Sequence, residues 1–89
     1  MNRKLIEILA CPIDKHFPLE LLEFTSKDEI VSEGVIFCSK CSRYYPIIEE
    51  IPIMLPDELR DKNQDIEFLN KYKTTLPDKI ASKGAPWHL

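Results

Sequence analysis

Three cysteines constrain this chain more than anything else in it. Cys38-Ser39-Lys40-Cys41 holds two thiols at the spacing that lets both reach one tetrahedral Zn²⁺, at about 2.3 Å each. About 27 residues upstream, Cys11-Pro12-Ile13-Asp14 repeats that spacing with a carboxylate in the second place. Aspartate is a legitimate zinc ligand, so Cys11, Asp14, Cys38 and Cys41 form a chemically sound Cys₃Asp set. His16 is the rival for the fourth position. Two knuckles joined by strands describe a zinc-ribbon-like layout, and four protein donors leave no open coordination place, which fits a structural metal rather than a catalytic one. Two other readings stand beside it. A Cys-x-x-Cys can be a redox pair, although such pairs sit before a helix in a βαβ unit and this one follows a hairpin. The knuckle can also close without metal, with Asp14 accepting from backbone N–H groups in its turn.

The rest of the composition narrows the function. A chain of 89 residues has room for one domain, and a domain this small often needs a staple such as a metal. Three is an odd cysteine count, so no closed disulfide set forms within one chain and the expected compartment is the reducing cytoplasm. A net charge of −3, with no run of Lys or Arg, disfavours general affinity for phosphate backbones. Arg43 and Lys40 beside Tyr44 and Tyr45 are the best case for an RNA contact, though strand tyrosines are more often structural. No stretch approaches the roughly 20 apolar residues that span a bilayer. Glu7 interrupts the apolar run after Arg3 and Lys4, and Cys11-Pro12 replaces a cleavage site, so no signal peptide is expected. Two glycines in the whole chain leave little for a phosphate-binding loop. No Ser-His-Asp set or pair of catalytic carboxylates can be assembled either, so an enzyme is not expected.

Along the chain, Asn2 is placed to cap a short helix with Leu5, Ile8 and Leu9 on one face. A strand is predicted from Leu19 to Phe24, then a polar break at Thr25 to Asp28. Glu33-Gly34 is a turn signal, and Val35-Ile36-Phe37 makes the return strand. Pro46 and Pro52 place the apolar run from Tyr44 to Leu55 at a sheet edge or in an irregular loop. Glu58 to about Lys73 has helical composition, with Ile66, Leu69, Tyr72 and Leu76 near one face. Asp78 to Gly84 is a last short helix with Gly84 as its stop. Trp87 is a packing anchor that tucks the tail onto the domain. The expected class is α+β: zinc-ribbon-like knuckles with a small antiparallel sheet, flanked by an N-terminal helix and C-terminal helices. Ile47, Ile48, Ile51, Ile53, Met54 and Leu55 crowd six large apolar side chains into nine residues. A core this small is not expected to hide them all, so the segment is a candidate for β-augmentation by another chain. The alternative is that Ile66, Phe68, Leu69 and Tyr72 fold back over it.

These motifs carry a resemblance. Residues 5–12 (Leu-Ile-Glu-Ile-Leu-Ala-Cys-Pro), 17–21 (Phe-Pro-Leu-Glu-Leu), 34–41 (Gly-Val-Ile-Phe-Cys-Ser-Lys-Cys) and 44–55 (Tyr-Tyr-Pro-Ile-Ile-Glu-Glu-Ile-Pro-Ile-Met-Leu) resemble the small zinc-binding activator subunit of RNA and release-factor methyltransferases. That family has eukaryotic and archaeal members and short YcaR-like bacterial relatives. The resemblance implies a non-catalytic subunit that binds, stabilises and activates S-adenosylmethionine-dependent methyltransferases acting on tRNA, rRNA or a translation factor, as a heterodimer. It implies Zn²⁺ on Cys11, Cys38 and Cys41, with Asp14 where the family's fourth cysteine falls. Glu50 stands where relatives usually carry Gly, so that turn must manage without glycine's freedom at positive φ. On this basis residues 1–62 form the zinc-knuckle activator domain and 63–89 a helical C-terminal extension packed on it. Ile48, Ile51, Pro52, Ile53, Met54 and Leu55 are the candidate partner-binding residues. An RNA-binding zinc ribbon and a thiol redox protein are the competing functions.

Overall fold

Asn2 starts the first element as its side chain predicts. Its Oδ1 accepts from the Lys4 N–H at 2.9 Å and caps Arg3–Glu7. The element is a 3-10 helix, and that tighter period changes which face is buried. Ile6 and Leu9, three residues apart, pack against the core, while Leu5 and Ile8 are exposed. The expectation that Leu5 and Ile8 share the buried face with Leu9 is therefore corrected. The computed structural model describes residues 1–89.

Four antiparallel strands come next, in the spatial order of the sequence: β1 (Glu20–Lys27), β2 (Ile30–Phe37), β3 (Tyr44–Ile48) and β4 (Ile51–Pro52). The first hairpin reverses at Asp28-Glu29, with Asp28 at φ 55°, and not at Glu33-Gly34. Gly34 lies inside β2 opposite Glu23, beside a register shift. A Cβ there would stand 2.5 Å from the Leu22 carbonyl oxygen, so this glycine serves close strand approach rather than a turn. Pro46 sits in an interior strand. Its carbonyl accepts from Ile53 on the β4 side, so its missing N–H faces that same side, past the end of the two-residue β4. Glu49 and Glu50 make the β3–β4 turn, both at positive φ, 50° and 70°.

Both faces of the sheet are covered, because side chains alternate along β2 and β3. Ile36, Tyr45 and Ile47 join Met1, Cys11, Leu19, Val31 and Cys38 in one apolar cluster. Val35, Phe37 and Tyr44 join a second one, made with Phe68, Leu69, Leu76, Ile80 and Ala81. The expected long helix divides: a 3-10 turn at Asp57–Leu59, then α1 (Lys62–Lys71), because Asp61 caps α1 by accepting from the Gln64 N–H. α2 (Asp78–Ala81) ends before Gly84, whose φ is not positive, so Gly84 is no left-handed stop. Phe24 stacks on Tyr72 at 4.3 Å. Lys71 to Glu33 at 2.9 Å and Lys79 to Glu20 at 2.8 Å tie the helices to the strands. Trp87 anchors its segment as expected, donating from Nε1 to Asp65 at 3.0 Å.

Candidate metal centre

The two knuckles are wired alike, and this equivalence matches Asp14 to Cys41. In the first, the Lys15 N–H donates to the Cys11 carbonyl at 2.8 Å and the Cys11 N–H to the His16 carbonyl at 3.0 Å. In the second, the Ser42 N–H donates to the Cys38 carbonyl at 2.8 Å and the Cys38 N–H to the Arg43 carbonyl at 2.8 Å. Lys15 and Ser42, at matching positions, have φ of 60° and 62°. Asp14 thus occupies in the first loop the place that Cys41 occupies in the second.

The donor atoms meet. Cys11, Asp14, Cys38 and Cys41 each present a ligand atom, all within 4.8 Å of one another. The Cys11 and Cys41 sulfurs are 3.7 Å apart, and the Cys38 sulfur lies 3.6 Å from Asp14 Oδ2. A tetrahedron with metal–sulfur bonds of about 2.3 Å has sulfur–sulfur edges of about 3.7 Å, so the residues present fit a zinc-sized ion. His16 is not part of this group; its backbone N–H instead donates to Asp14 Oδ1 at 2.9 Å. That bond, before any other influence, holds the Asp14 carboxyl down at about 2, leaving it ionised and ready to accept a cation.

The surroundings tune the thiols differently. Burial pushes Cys11 up, but hydrogen bonds from Tyr45 OH and from the Asp14 and Ile13 N–H groups outweigh it, so the thiol lies below its usual range. Cys38 is dominated by burial and is pushed up to about 12. Tyr45 OH lies 3.1 Å from the Cys11 sulfur. Arg43 is clamped bidentate by Asp57 at 2.9 and 2.6 Å, and Asp57, then Cys41, hold its guanidinium charged. Two positions not proposed as metal ligands from the sequence therefore support the cluster, Tyr45 by contact with Cys11 and Asp57 by holding Arg43. Tyr45 was visible only as one half of a strand pair, and period-2 alternation is what sends it, not Tyr44, toward Cys11. Asp57 was readable only as part of a Pro-Asp helix start, and nothing local ties it to Arg43.

The six candidate partner-binding residues do not share one environment. Ile48 packs against the second cluster and Met54 against the first. Ile51 and Leu55 are exposed, at 59% and 36%, while Pro52 and Ile53 are intermediate. A shallow open depression of about 250 Å³ beside Ile48 is lined by Glu33, Gln64, Glu67, Phe68 and Lys71.

The family described as Trm112p-like protein matches residues 2–50, which span both knuckles. The chain belongs to the Trm112p-like family. A UPF0434 protein of Rhodopseudomonas palustris (strain BisB5) is 43% identical over 60 residues, covering 67% of this chain and 78% of the relative. A UPF0434 protein of Ectopseudomonas mendocina is 44% identical over 71 residues, covering 80% of this chain and the whole of the relative. Among solved structures, the Haloferax volcanii Trm112 methyltransferase activator, in complex with a candidate methyltransferase, is similar with a TM-score of 0.64 and 33% identity. That match covers all of the activator and 67% of this chain. The Trm112p-like architecture agrees with the expected class, and its cysteine cluster with a zinc knuckle. No helix is long and apolar enough to cross a membrane.

Proposed function

We propose that this chain is a non-catalytic subunit that binds, stabilises and activates an S-adenosylmethionine-dependent methyltransferase acting on tRNA, rRNA or a translation factor. The observation that carries the proposal is the exposed apolar surface at the short edge strand β4, with further exposed apolar side chains on the N-terminal 3-10 segment. The Met1 ammonium donates to the Glu50 carbonyl, which brings the first residue against the turn that leads into β4. Ile51 and Leu55 are exposed on and just beyond β4, and Leu5 at 39% and Ile8 at 76% are exposed on and just beyond the 3-10 helix. Each such side chain contributes roughly 1.5–3 kcal/mol when fully buried. β4 at the sheet edge also offers unpaired backbone groups to an incoming strand. The partner gains by mass action, because binding removes its own apolar surface from water. The membership of the family and the likeness to an activator in complex support this reading.

In the same proposal Cys11, Asp14, Cys38 and Cys41 hold a structural Zn²⁺, which supplies folding energy by cross-linking the two knuckles. Residues 1–62 form the activating unit, with 63–89 as an extension packed on it, and the protein works in the cytoplasm. Ile51, Pro52, Ile53, Met54 and Leu55 would meet the partner along β4, with Ile48 at the inner margin.

Affinity purification of the tagged full chain from its own cells, with mass spectrometry, tests this. Recovery of a Rossmann-type methyltransferase at near-equal amount, and its loss with Ile51→Asp or Ile53→Asp, is the expected result. Recovery of ribosomal RNA alone, or of nothing above background, would overturn it. The RNA-binding alternative is weakened by Arg43, whose guanidinium is held by Asp57.

A further inference from the structure

The last residues of the chain are fastened to the metal knuckle along two separate routes. One is backbone. Ser42, whose N–H closes the second knuckle on the Cys38 carbonyl, uses its own carbonyl to accept from the Ala85 N–H at 2.8 Å. Arg43 and Ala85 form a parallel bridge, and the Tyr44 N–H reaches the Ala85 carbonyl at 3.4 Å. The other route is through side chains. Tyr45, bonded to the Cys11 sulfur, lies 5.3 Å beneath the buried Arg60 guanidinium. Arg60 Nε donates to Asp65 Oδ2 at 2.9 Å, and the same oxygen accepts from Trp87 Nε1. Arg60 also lies over the Tyr44 and Trp87 rings, at 4.8 and 5.9 Å. Gly84 completes the seat: a Cβ there would stand 2.6 Å from the Ile80 carbonyl oxygen and 2.8 Å from Tyr44 Cδ1.

We propose that the metal centre is a clasp for residues 84–89, so that metal binding and seating of this segment over the second core cluster reinforce each other. The inference rests on the zinc reading above. Its physical basis is shared ordering. Cross-linking Cys38 and Cys41 to the first knuckle fixes the Ser42 carbonyl and the Tyr45 ring, so the segment docks on partners already held in place. A site that has been ordered once costs less for the second event. Linkage makes the effect reciprocal: whatever factor the metal gives to seating, seating gives to metal affinity.

Trp87 is the only tryptophan in the chain and reports directly on the segment. On the full chain loaded with Zn²⁺ and then stripped with excess chelator, Trp87 emission is expected to shift to the red. Amide exchange at Ala85 and Leu89 should quicken at least about tenfold, and both changes should reverse when Zn²⁺ is restored. Gly84→Ala, which crowds the seat without touching a ligand, is expected to lower Zn²⁺ affinity at least about fivefold. Trp87→Phe, which keeps an aromatic side chain but removes the indole N–H and its bond to Asp65, should lower it in the same direction and serves if the alanine variant does not fold. Unchanged emission and exchange on stripping would overturn the clasp, as would wild-type Zn²⁺ affinity in both variants. Failure of the wild-type chain to take up Zn²⁺ would overturn the zinc reading together with the clasp, whereas uptake without either response overturns the clasp alone.

Discussion

Asp14 and Asp65 are both carboxylates, one marked by the cysteine spacing and the other unmarked in the sequence, and the fold gives them opposite circumstances. Asp14 stands where the matching loop has Cys41, and its carboxyl is already ionised by the His16 N–H. A thiolate in that place is a softer donor and binds zinc more strongly. Asp14→Cys should therefore tighten Zn²⁺ binding by about tenfold or more, read by competition with a chromophoric chelator under reducing conditions. Asp65 is buried beside Arg60, whose side chain is 1% exposed. Burial pushes the Asp65 carboxyl up, while Arg60 and Trp87 pull it back. Asp65→Asn would remove the one carboxylate bonded to the buried guanidinium, whose Nη1 and Nη2 already lack hydrogen-bond partners. A loss of about 3 kcal/mol is expected in urea unfolding. The alternative outcome, a loss well under 1 kcal/mol, would mean that the aromatic rings around Arg60 suffice to hold it.

Turns show where local sequence speaks clearly and where it does not. Glu49 and Glu50 both adopt positive φ, a conformation that costs a side-chain-bearing residue about 1–2 kcal/mol. Two backbone bonds hold the turn there, from the Glu50 N–H to Ser32 and from Met1 to the Glu50 carbonyl. Glu50→Gly should relieve that strain and stabilise the chain by about 1 kcal/mol, seen as a higher urea midpoint with an unchanged slope. The absence of glycine at this turn was legible in the residues themselves. The first hairpin was not. Glu33-Gly34 has turn chemistry, yet Gly34 is needed for its missing Cβ against Leu22, a contact across the sheet that no local window contains. The 3-10 start misled in a similar way, since one residue of altered period exchanges Ile6 for Ile8 on the buried face. The cysteine spacing was the most readable feature because ligand geometry imposes it over short stretches. Asp14's position in the cluster came with it, whereas Tyr45 under Arg60 and Trp87 on Asp65 depend on residues far apart in the chain.

For the molecule as a whole, β2 and β3 belong to both clusters, so neither face can come apart without exposing the other. Leu69 is fully buried in the second cluster. Leu69→Ala should cost about 3 kcal/mol, and the metal-loaded variant should still unfold in one transition, with Trp87 emission and far-UV circular dichroism coincident. Two separated transitions would mean that the helical face melts independently of the knuckles. The order of the elements also sets a schedule. All four donor residues lie in the first half of the chain, and the segments that roof the sheet's second face come last. A ribosome adding about 5–20 residues per second spends seconds on the stretch from Cys41 to Leu89. During that interval the nascent chain has all four residues of the proposed zinc site but nothing to shield Val35, Phe37 and Tyr44. Newborn copies are thus at their stickiest while the face that the last helices cover is still bare, and that window is when a chaperone has most to hold.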